Sequence, residues 1–85
     1  MKHLAHQLLG RLRKSWWLEI STHSLDSDSL ECDYYFGPFA SKKEALQNRP
    51  GYVEDLEQEG STVFHVSVVR RTTPHRLTVE HAKVA

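Results

Sequence analysis

The stretch SWWLEI, residues 15–20, constrains the fold most, because its apolar residues recur at every second position. Strand side chains alternate between faces, so Trp16, Leu18 and Ile20 share one face while Trp17, Glu19 and Ser21 share the other. Three apolar residues mark the first face as the core side. Trp17 is thereby expected to point outward.

The same alternation returns in CDYYFGPF and STVFHVSVVRR. In the first, Tyr34 and Phe36 are expected in the core and Tyr35 beside Trp17 on the open face. Gly37-Pro38 ends that strand, and Phe39 turns inward. In the second, Phe64, Val66 and Val68 are expected inward, against Val63, His65, Ser67 and Val69.

Between the first two strands, STHSLDSDSLECD is rich in Ser and Asp and reads as a hairpin loop. Asp26, Asp28 and Asp33 in it lack the glycine and terminal glutamate of an EF-hand, which argues against calcium. Ser41 and Glu44 form a capping box that starts a helix at Lys42. Ala45 and Leu46 are its expected inward residues, Pro50-Gly51 breaks it, and GYVEDLEQEG resumes with Tyr52, Val53 and Leu56 inward. Gly60 terminates it. After Pro74, LTVE is expected as a short edge strand. Leu4, Leu8, Leu9 and Leu12 form the stripe of a short helix over about residues 2–13.

These elements give an α+β fold, a two-layer sandwich of three to four antiparallel strands with a broken helix on one face, in the order β-β-α-β. Residues 1–14 are assigned to an N-terminal amphipathic helix, 15–80 to a single α+β domain and 81–85 to a flexible tail. With 85 residues the chain makes one domain, for which about 3–5 kcal/mol of net stability is expected.

Eleven basic residues balance eleven acidic ones. Such a chain has no broad field for nucleic acid or anionic lipid. The lone Cys32 forms no internal disulfide and points to a reducing compartment. No apolar run is long enough for a transmembrane segment. A cytoplasmic protein is expected.

Histidines at 3, 6, 23, 65, 75 and 81 are scattered without the spacing of a metal site. Cys32 lies between Glu31 and Asp33, which disfavours a thiolate. No nucleophile, base and orienting group assemble from these spacings, so neither an enzyme nor a cofactor is expected.

The residues SWWLEI, CDYYFGPFASKKEA, GYVEDLEQEG and PHRLTVE resemble a family of small cyanobacterial proteins, domain of unknown function 1816. The similarity spans about residues 15–80, and the HSLDSDSLE insert departs from it. The resemblance implies a stand-alone cytoplasmic protein with no established activity and no cofactor, and it transfers no catalytic residue.

The expected function is that of a regulatory or adaptor protein that docks on a larger partner. Its open sheet face would carry Trp17, Tyr35, Val63, His65 and Val69, with aromatic anchors at the centre. Glu54, Asp55 and Glu57, together with Arg70 and Arg71, would supply electrostatic contacts. The resemblance suggests an assimilation enzyme or a photosynthetic component as partner. The alternatives are a self-associating dimer and a module for small molecules or nucleic acid, though only Arg70, Arg71 and Arg76 would serve the latter.

Overall fold

Residues 13–24 and 30–82 are described by the computed structural model of the chain. Its elements are β1 (Ser15–Ser24), β2 (Leu30–Phe39), the helix α1 (Lys42–Gln58), β3 (Ser61–Arg71) and β4 (Thr78–Ala82). The strands form one antiparallel sheet in the order β3-β1-β2-β4, with α1 on one face. This is the expected small α+β fold, with LTVE supplying the fourth strand at an edge. The expected N-terminal helix and the tip of the hairpin fall on residues 1–12 and 25–29, outside the described ones. β4 runs through His81 and Ala82, two residues into the expected tail.

Leu18, Ile20, Phe39, Ala45 and Leu56 form the core between α1 and the sheet, flanked by Trp16, Tyr34, Phe36, Tyr52, Val53, Val63, Val66 and Val68. The period-two reading of β1 is thus met on its core side. Leu46 is the exception on the helix. It stands 43% exposed, because one residue's rotation carries it off the stripe defined by Ala45, Tyr52 and Leu56.

The cap of α1 follows its sequence: the Glu44 amide donates to Ser41 Oγ at 3.1 Å. The Glu44 carboxylate accepts from the amide of Ala40, one residue before the cap, at 2.8 Å. Pro50 does not break the helix, contrary to expectation. It lies inside a continuous span, and the carbonyl that loses a donor belongs to Leu46, which is exposed enough for water to replace it. Gly60, at φ +94°, follows the end of α1 as expected.

Two irregularities reset the alternation. Gly37-Pro38 lies within β2 rather than ending it: Trp16 pairs with Phe39 and Leu18 with Phe36, so two residues of β2 face Trp17 alone. In β3, Ser21 pairs with His65 but Thr22 with Val63, which leaves Phe64 as an extra residue. Val63 therefore packs on the core and Phe64 is 51% exposed, the reverse of the expected arrangement.

Candidate functional site

The open face of the sheet is polar across most of its width. Cross-strand pairing sets Glu19 beside Tyr35 and Ser67, Ser21 beside Asp33 and His65, and His23 beside Glu31. The Ser21 hydroxyl donates to Asp33 Oδ1 at 2.6 Å. Glu19 Oε1 lies 3.6 Å from His65 Nε2, and Glu31 Oε1 lies 3.6 Å from His23 Nδ1. Phe64 stacks on His23, with ring centroids 4.3 Å apart.

Tyr35 occupies this face as expected. Burial, followed by the adjacent Glu19 carboxylate that accepts from its hydroxyl, raises its pKa above the ordinary tyrosine value. The Arg71 guanidinium lies over its ring, 4.9 Å from the centroid, and opposes that shift. Arg71 is therefore half-buried inside the domain, whereas Arg70 is exposed. His65 is exposed and Val69 half-buried beside Trp17 in the ladder.

Trp17 corrects the expectation most sharply. It is 2% exposed, so its indole is not a docking surface. A Cβ on Gly37 would fall 3.0 Å from Trp17 Cε3 and 3.2 Å from Cδ2, which places the ring against the Gly37 backbone. β3 and β4 are opposite edges, so residues 72–77 connect them past the end of the sheet that holds Trp17. Within that connection Pro74 is buried, and the Leu77 carbonyl accepts from the Tyr35 amide at 2.8 Å. Among the described residues Trp17 Nε1 has no hydrogen-bond partner.

The aromatic surface lies on the other face. α1 packs mainly on β3 and β1, less on β2, and its backbone stays more than 8 Å, Cα to Cα, from that of β4. The helix-side surface of β2 and β4 is thus left partly uncovered, forming a groove of about 330 Å³ lined by Tyr34, Phe36, Tyr52, Asp55, Leu56, Glu59 and Thr78. Its rings form a series. Tyr34 and Phe36 are nearly parallel at 9° and 6.0 Å, and Phe36 stacks on Tyr52 at 4.3 Å. Burial, the neighbouring Cys32 and the Glu59 and Glu80 carboxylates raise the pKa of Tyr34.

The profile of a family described as Domain of unknown function (DUF1816) matches residues 9–79. The chain belongs to that family. No curated protein and no solved structure matches this DUF1816 chain. The matched span covers β1, β2, α1 and β3 whole, together with the start of β4, so every residue lining the groove lies in the DUF1816 domain.

Of the expected contact residues, Asp55 alone lines the groove; Glu54 and Glu57 are exposed elsewhere on α1. Tyr34, Phe36 and Tyr52 are residues that alternation and helical spacing assign to the core, and they do pack against it while also lining the groove. The missing signal is lateral: periodicity tells which face of β2 a residue takes but not how far across the sheet α1 reaches. Among the described residues of the DUF1816 domain, no three His, Cys, Asp or Glu side chains cluster as metal ligands, and no helix is long and apolar enough to cross a membrane.

Proposed function

We propose that the protein is a small non-catalytic adaptor in the cytoplasm of a cyanobacterium, and that a positively charged segment of a larger protein occupies the groove between α1 and the β2–β4 half of the sheet. The carrying observation is the groove itself, where three stacked rings stand under a carboxylate rim while the rest of the helix-side face is packed. Aromatic rings bury much area for few lost rotamers, the property expected of interface anchors. The open face suits docking less well, since Glu19 and Asp33 already accept from Tyr35 and Ser21 and Trp17 is buried there. An assimilation enzyme or a photosynthetic component is the first partner to try.

Site-specific photocrosslinking tests this reading, with benzoylphenylalanine at Thr78 in the groove or at Gln47 on the solvent side of α1. The expected result is one adduct from position 78, absent from position 47, whose purified protein component then binds the wild-type chain in calorimetry. No adduct, equal adducts from both positions, or an adduct only with a second copy of this chain overturns it.

A further inference from the structure

We propose that the side chain inserted into this groove is an arginine, held by its guanidinium between the aromatic series and the carboxylates of Asp55 and Glu59. The inference rests on the adaptor reading and specifies what the partner must present.

The lining has two components of matching chemistry. Tyr34, Phe36 and Tyr52 line the groove, and although Phe36 and Tyr52 cover one face of each other, a ring attracts a cation over the face that stacking leaves open. Asp55 in the last turn of α1 and Glu59 at its C-cap are four residues apart, hence neighbours on one side of the helix end, and like charges at that spacing repel. Glu80 adds a third carboxylate close enough to act on the Tyr34 hydroxyl. Lys, Arg and His are all missing from the lining, and among the described residues none of these three carboxylates is in an ion pair. Among the described residues the groove therefore has a negative rim and no basic side chain in its lining.

A planar guanidinium fits both components together. It stacks on rings through its face and donates paired hydrogen bonds to carboxylates through its edge, and it sheds water more readily than an ammonium. Lysine satisfies the charge but cannot stack. Citrulline keeps the plane and loses the charge.

The test uses acetyl-Ser-Gly-Arg-Gly-Ser-amide and its lysine and citrulline counterparts, titrated into the full ¹⁵N-labelled chain at low salt. Amide shifts are read at Tyr52, Asp55 and Thr78. The expected order is arginine tightest, lysine several-fold weaker and citrulline weaker by about tenfold or more. Asp55→Asn with Glu59→Gln should abolish the arginine shifts without lowering the thermal midpoint, since it relieves the repulsion between the two carboxylates, whereas Glu57→Gln should leave the shifts intact. Citrulline binding as well as arginine, shifts confined to other residues, or no shift with the arginine peptide overturns the inference. Its failure is distinct from failure of the adaptor reading: position 78 would still crosslink a partner if only the arginine were wrong, and the arginine peptide would still bind if only the adaptor role were wrong.

Discussion

Gly37 sits at φ +145° with the Trp17 ring against its α-carbon. Both features demand the absence of a side chain: the backbone region is unfavourable to other residues, and a Cβ would also meet Trp16 O at 3.0 Å. Gly37→Ala is expected to cost about 2 kcal/mol or more, read as a lower urea midpoint by tryptophan fluorescence. Trp17→Ala removes a fully buried ring and should cost about 3–5 kcal/mol, enough to leave the domain largely unfolded by circular dichroism. Tyr35 adds a pH dependence. Its folded pKa is raised, so its contribution is complete below the ordinary tyrosine value of about 10 and is lost as pH rises from there through the folded value. Urea midpoints measured from about pH 8 to pH 11.5 should therefore fall more steeply for wild type than for Tyr35→Phe. Little of this was legible in sequence. Alternation assigns Trp17 to the face opposite α1 correctly, and it is silent on the connection that passes that end of the sheet.

At the level of elements, the capping box and Gly60 state both ends of α1 in plain sequence, because caps are local chemistry. Pro50 misleads for the converse reason. Its penalty depends on whether water reaches the freed carbonyl, which tertiary structure decides. Pro50→Ala restores that hydrogen bond, and after allowing for the stiffer unfolded chain that proline provides, it should stabilise the domain by about 2 kcal/mol in thermal denaturation. An unchanged or lower midpoint would mean that the helix needs its proline geometry to seat Tyr52. The bulge in β3 explains the other misreading. One extra residue reverses parity, so strict alternation held for Val66 and Val68 and failed for Val63 and Phe64.

At the level of the whole molecule, a neutral chain conceals an acidic groove on one side of the sheet and carboxylate–histidine pairs on the other. Recognition that rests on such local charge weakens with ionic strength. The affinity of the purified partner should accordingly fall several-fold between about 50 and 300 mM salt, mainly through slower association in stopped-flow traces. Salt-independent binding would indicate purely apolar docking. The fold class and the order of elements along the chain, β-β-α-β, followed from sequence because each strand announces itself by a local period, whereas the lateral order β3-β1-β2-β4 did not. Where the helix rests on the sheet is a three-dimensional quantity, set by ring packing around Phe39 and Tyr52, and the groove is its by-product.

That off-centre seat of α1 also divides the domain by its tolerance to sequence change. Positions under the helix and against Trp17 are bound by packing, so a library scored on abundance alone should reject most replacements there. Positions around Asp55, Glu59 and Thr78 carry little folding energy and can drift freely as far as stability is concerned. If the groove is the docking site proposed above, descendants of such a chain are able to exchange one partner for another by rewriting it while the scaffold beneath stays as it is.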